Sequence, residues 1–181
     1  MPATAPKSPE KRDLFLGRMT DHILARGLAA GSLRPLAAAA GTSDRMLLYY
    51  FADKTDILNA IFAQVAGRFM PLLAGADIAP LPPAALRVRL WTSFRAEAAW
   101  PFIRLYLEIC IAASRGEEPH RAFAASMAEA FISWIEPQLA LPEAGRRAAA
   151  ALVLAEVDGL LILEAIGLTE IARQASEAVL F

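Results

Sequence analysis

The stretch Ser32–Leu58, SLRPLAAAAGTSDRMLLYYFADKTDIL, decides how this chain is read. Ser32 is placed to cap a short helix, and Pro35 falls in its first turn, where a missing N–H does no harm. Leu36 to Ala40 continues that helix until Gly41, which suits a left-handed stop. Ser43 is a second cap, opening a helix from Asp44 to about Tyr50, and Asp53 caps a longer one from Lys54 toward Ala74. Two short helices across a tight glycine turn make a helix-turn-helix. Ala37 and Ala40 let the second helix cross close to the first, and Leu36, Leu47, Phe51 and Leu58 are expected to form a small core beneath it. Asp44, Arg45 and Tyr49 then face outward, as a helix entering the DNA major groove requires.

Outward from this segment the chain reads as all-α. Of its 181 residues 56% are apolar, mostly Ala and Leu, so a sizeable core is available and helix formers dominate. Residues 1–9, rich in Pro, Ala and Ser, read as a disordered arm, and a first helix runs from Glu10 to Arg26, ended by Gly27. Gly75 to Pro83 is a breaker rich in Gly and Pro; Pro71, just before it, is placed to kink or end the preceding helix. Further helices are expected at about 84–100, 101–115, 119–139, 142–166 and 169–180. Pro101, Pro119 and Pro142 sit near helix starts. The expected architecture is an N-terminal three-helix domain with the helix-turn-helix over residues 1–58 and a helical bundle over 59–181, to which the resemblance described below assigns ligand binding and dimerisation.

Net charge is −1, which argues against a general nucleic-acid coat protein. Residues 1–60 nevertheless carry eight Lys and Arg against six Asp and Glu, the right sign for a DNA-binding front end. A single cysteine, Cys110, excludes an intrachain disulfide and suits a cytoplasmic location. Glu156, Asp158 and Glu164 inside the most apolar run argue against a membrane span. With only His22 and His120, and no nucleophile, zinc or phosphate-loop motif, neither an enzyme nor a metal or cofactor site is expected.

Ser32–Leu58 resembles the tetracycline-repressor (TetR) family of bacterial transcriptional regulators. The residues that carry the resemblance are Leu36-Ala37, Ala40-Gly41-Thr42-Ser43, Leu47-Leu48-Tyr49-Tyr50-Phe51, Lys54 and Ile57-Leu58, in register without a gap. Leu48 stands where the family usually has Tyr, Tyr50 where His is common, and Asp44 where a basic residue is frequent. The resemblance implies a regulator, expected to be a repressor, that binds a palindromic operator as a homodimer and is released by a small-molecule effector. The alternative is a helical ligand-binding or interaction protein without operator binding.

Chemistry and resemblance together assign Arg45 to guanine O6 and N7, with Asp44 and Met46 as further base contacts. Ser32, Arg34, Thr42, Ser43 and Lys54 are assigned to phosphates, and Tyr49 and Tyr50 to phosphates or thymine methyls. In the bundle, Trp91, Phe94, Trp100, Tyr106, Phe123, Met127 and Phe131 are expected to line an effector pocket. Arg95, Glu97, Arg104, Glu108, His120 and Glu129 are its candidate polar anchors. The apolar segment 148–166 is the expected dimer face, through Leu152, Val153, Gly159, Leu160 and Leu163 with parts of 169–181. Glu156 and Asp158 within it face a partner, a cavity or the bundle edge.

Overall fold

The computed structural model describes residues 8–73 and 79–178. The terminal arm before Ser8, the first part of the breaker with the residue before it (74–78) and the end of the last predicted helix lie outside the described residues. Nine α-helices are described and no named strand: α1 Pro9–Arg26, α2 Leu33–Ala40, α3 Asp44–Tyr50, α4 Lys54–Leu73, α5 Pro83–Phe94, α6 Trp100–Ser114, α7 His120–Ile135, α8 Arg146–Ala165 and α9 Thr169–Glu177. Among the described residues no helix is long and apolar enough to cross a membrane.

The N-terminal helices follow their punctuation. Ser8 and Ser43 accept hydrogen bonds from the N–H groups of Lys11 and Met46, so α1 and α3 start at side-chain caps. Ser32 occupies the N-cap position of α2 without such a bond. At α4 two carboxylates hold the start: Asp53 accepts from Asp56 N–H (2.8 Å), and Asp56 reaches back past Asp53 to accept from Ala52 N–H (2.9 Å). Gly41 ends α2 at φ 73°, ψ 37°, where a side chain would be strained. The expected small core is fully in place, with Leu36, Leu47, Phe51 and Leu58 all buried beside Ala37 and Ala40.

Two apolar cores are built on the helices. One joins α1–α3 and the first half of α4 to Leu105 and Ile109 of α6. The other fills the bundle of α5–α9 and takes Phe69 and Leu73 from the second half of α4. The boundary expected at residue 58 thus lies within α4, one continuous helix shared by both cores. Pro71 is accommodated in the last turn of α4.

Three boundaries differ from expectation. Helix α7 ends at Ile135, where a 3-10 turn over Glu136–Gln138 takes over. Helix α5 stops at Phe94, and a turn over 95–99 precedes α6, although Arg-Ala-Glu-Ala-Ala carries no breaker. Packing here overrides propensity: Phe94 and Ala99 are both buried on the bundle side, a placement one straight helix through both does not give. Helix α8 begins at Arg146, after Gly145 at φ 85°, and Arg146 donates through Nε and Nη2 to the Leu141 carbonyl (3.1 and 2.6 Å).

Candidate functional site

Helix α3 presents a polar and apolar mixture to solvent. Arg45, Met46 and Leu48 are exposed, Asp44 and Tyr49 are half-buried, and Leu47 is fully buried beneath them. Ser32, Arg34, Ser43 and Lys54 are exposed and Thr42 is half-buried. Among the described residues Arg34, Arg45 and Lys54 enter no ion pair, so their charges face water. Tyr50 departs from its expected outward role. It stands three residues after Leu47, on the same helical face, and is buried edge-on against Phe15 at 5.5 Å and Tyr49 at 5.1 Å. Sequence reasoning missed Leu48, which lies in the middle of the outward face.

The turn of this motif is braced from α1. Arg18 donates through Nη1 to the Ala40 carbonyl at 3.0 Å, and Arg12 lies 4.5 Å from the Phe51 ring centroid. The face of α3 is therefore fixed against the rest of the N-terminal core.

A second site lies inside the bundle. A cavity opens between Val65, Ala66 and Phe69 of α4, Phe94 of α5, Phe102, Ile103 and Tyr106 of α6, and Phe123, Met127 and Phe131 of α7. Leu154, Asp158 and Leu161 of α8 close it. Its free volume is about 30 Å³, room for about two waters. Five of the seven expected lining residues are present: Phe94, Tyr106, Phe123, Met127 and Phe131. Trp91 and Trp100 are not. Trp91 is buried in the core with the Arg95 guanidinium 4.8 Å from its ring, and Trp100 lines a shallow recess with Arg95, Glu97, Pro101 and Glu164. Both lie nearly a turn of helix from the lining positions Phe94 and Ile103.

None of the six expected anchors reaches the cavity. Arg95 pairs with Glu164 (3.5 Å), and Arg147 with Glu129. Arg104 donates to the Leu24 and Ala25 carbonyls at the end of α1, and Glu108 accepts from Leu28 N–H. His120 sits against the Phe62 ring, and Glu97 borders the Trp100 recess. The polar groups of the cavity are instead Tyr106 and Asp158, with the tyrosine hydroxyl donating to Asp158 Oδ2 at 3.2 Å. Burial pushes the Asp158 carboxyl up to about 6, against the opposing effect of the Tyr106 hydrogen bond. Burial, then the neighbouring Asp158, raises Tyr106 so far that it stays a neutral donor. Burial also raises the Cys110 thiol, as an inert cysteine requires. Glu156 has a different task. It pairs at 3.2 Å with buried Arg87, which also donates to the carbonyls of Ser176 (3.2 and 3.0 Å) and Ala178, tying α5, α8 and α9 together.

Asp158 sets up a stability effect with a definite sign. Its carboxyl takes up a proton near pH 6 when folded and near its ordinary 3.8 when unfolded. The folded state binds that proton more tightly, so stability falls as pH rises from about 4 to about 6. Above that window the ionised group costs up to about 3 kcal/mol. Asp158→Asn keeps the shape and an acceptor for Tyr106, and is expected to gain up to that amount at pH 7.5 and almost nothing at pH 4. Chemical denaturation at the two pH values checks it, and an equal gain at both would assign the effect to packing.

One further surface is apolar. Leu152, Ala155, Gly159, Ile162 and Ile166 recur at helical spacing on the exposed side of α8, with Leu168 and Ile171 beside them. Of the residues expected on this face, Leu152 and Gly159 are exposed and Leu163 is half-buried. Val153 and Leu160 instead point into the chain's own core, because they fall on the opposite side of the helix. Among the described residues no group of three or more His, Cys, Asp or Glu side chains is placed to hold a metal ion.

Residues 22–61 match the family model for bacterial regulatory proteins of the tetR family. No functionally curated protein matches the sequence. The fold is similar to that of a TetR-family transcriptional regulator from Cytophaga hutchinsonii, with TM-score 0.75 and 16% identity over 96% of this chain and 93% of that one. It is also similar to a Rhodococcus sp. protein described as a TetR-family transcriptional regulator, with TM-score 0.70 and 21% identity over 94% and 96%. Residues 22–61 are therefore similar to the helix-turn-helix segment of bacterial regulatory proteins of the tetR family, and the all-helical fold is similar to that of the two solved TetR-family regulators.

Proposed function

We propose that this chain is a ligand-responsive transcriptional repressor that binds a palindromic operator as a homodimer and releases it when a small molecule fills the bundle cavity. The observation that carries the reading is the outward face of α3. Its inner side is locked in the N-terminal core while Arg45, Met46 and Leu48 stand free of the rest of the chain. In this reading Arg45 reads guanine, Asp44, Met46 and Leu48 meet neighbouring base edges, and Tyr49, Ser32, Arg34, Thr42, Ser43 and Lys54 hold the backbone. Tyr50 is assigned to packing instead.

One such head makes few base contacts, so two are needed, on half-sites about 34–36 Å apart or a multiple of that. The stripe from Leu152 to Ile166 fits a second copy, since a two-fold axis sets the same small and branched residues against each other. Helix α6 fits the role of link. Its Ile103 and Tyr106 line the cavity, while its Arg104 and Glu108 hold the end of α1. A ligand larger than the free volume must part these helices, and it shifts the equilibrium only by binding the parted form more tightly.

The test is fluorescence anisotropy on the palindrome upstream of the chain's own gene, with light scattering on the same sample. The expected result is a particle of two chains whose affinity falls linearly on a log–log plot against salt, with preference over scrambled DNA of about 1000-fold or more. A monomer with no preference for that DNA refutes the reading.

A further inference from the structure

We propose that the bundle cavity takes a hydrophobic ammonium: an organic cation whose charged nitrogen meets Asp158 and whose apolar body lies among the phenyl rings. The proposal rests on the effector reading above and adds the chemistry of the ligand. Three observations carry it.

First, the cavity holds a single carboxylate and no cation. Its lining contains no Lys, Arg or His, and among the described residues Asp158 enters no ion pair. This sets it apart from Glu156, two residues away on the same helix, which is matched by buried Arg87. A partly buried carboxylate left with one neutral hydroxyl donor is costly for the fold, and that cost is removed when a cation arrives.

Second, the remaining wall suits a cation's body. Phe69, Phe94, Phe102 and Phe131 form one cluster, with ring centroids 5.4–6.0 Å apart, and Phe123 joins the lining from the side. Aromatic faces attract an ammonium and repel an anion. A carboxylate ligand would meet Asp158 and these faces with nothing to offset either.

Third, Tyr106 fixes the geometry. Its hydroxyl donates to Oδ2, which orients the carboxylate and leaves Oδ1 available to a ligand's N–H or to a quaternary centre.

The experiment uses the full chain and three probes of nearly one shape: 4-phenylbutylamine, 4-phenylbutan-1-ol and 4-phenylbutyrate, titrated calorimetrically at pH 7.5. The amine is expected to bind about 10-fold or more tighter than the alcohol, with the butyrate weakest. In Asp158→Asn the alcohol should keep its affinity and the amine should fall to within about 2-fold of it. Equal or tighter binding of the alcohol or the butyrate by the wild-type chain overturns the proposal, and so does an amine preference that survives Asp158→Asn. Absence of binding by all three at millimolar concentration overturns it too. The wild-type comparison needs no variant to fold. Release of operator DNA is read separately: amine binding that leaves the DNA complex intact upholds the cation site and refutes its role as an effector site.

Discussion

Arg45→Ala is expected to lower operator affinity by about 30-fold to about 25,000-fold and to erase discrimination at the base pair it reads. A guanidinium gripping guanine O6 and N7 discriminates by roughly 1–3 kcal/mol, and a symmetric dimer forfeits that grip in both half-sites, hence about 2–6 kcal/mol per operator. Arg45 is exposed at the N-terminal end of α3, the end that a recognition helix points at base edges. Its replacement touches no buried group, so stability should stay within about 0.5 kcal/mol. Lys54→Ala is the useful contrast. Removing a phosphate-binding ammonium at Lys54 should weaken all sequences alike and flatten the salt slope by about 1 per head. Anisotropy on the operator and on variants changed symmetrically at one position separates the two. If Arg45→Ala weakens every variant by the same factor, Arg45 binds the DNA backbone and base reading passes to Asp44, Met46 or Leu48.

How far the chain could be read without coordinates depended on how local each signal was. The N-terminal core was legible because its determinants sit within a few residues of each other: Ser43 capping Met46, Gly41 turning left-handed, Leu36, Leu47 and Leu58 at spacings that bury them together. The end of α5 was not legible, because residues 95–99 favour helix and only the burial of Phe94 and Ala99 breaks it. Tyr50 was misassigned for a reason the sequence did contain, its three-residue offset from Leu47. Asp158 is the more instructive case. Leu154, Asp158 and Leu161 are spaced four and three apart on the core face, whereas Leu152, Ala155, Gly159 and Ile162 mark the opposite one. Read by period, the carboxylate already lay on the core side of α8. Its partner Tyr106, and the pairing of Glu156 with Arg87, join residues 52 and 69 positions apart, and no local pattern relates them.

Gly27→Ala is expected to cost about 3–5 kcal/mol of stability, the largest effect foreseen for a single methyl group in this chain. Gly27 sits at φ 81°, ψ 177°, a region that only glycine occupies at ease, and forcing alanine there costs of order 1–3 kcal/mol. The new Cβ would also lie 2.6 and 2.7 Å from the carboxylate oxygens of Glu108. Glu108 is long enough to swing away, but doing so breaks its charge-assisted hydrogen bond to Leu28 N–H, worth roughly 1.5–3 kcal/mol. That bond and the Arg104 hydrogen bonds to Leu24 and Ala25 are where α6 grips the end of α1. Denaturant unfolding of Gly27→Ala, Glu108→Ala and the double variant separates the two contributions. Backbone strain is insensitive to Glu108, whereas the clash vanishes with its side chain, so the double variant should be clearly less damaged than the sum of the singles. Strict additivity would mean that the carboxylate and the glycine do not share this junction. In that case the link proposed to carry cavity opening from α6 to the DNA-reading helices would rest on the Arg104 hydrogen bonds to Leu24 and Ala25.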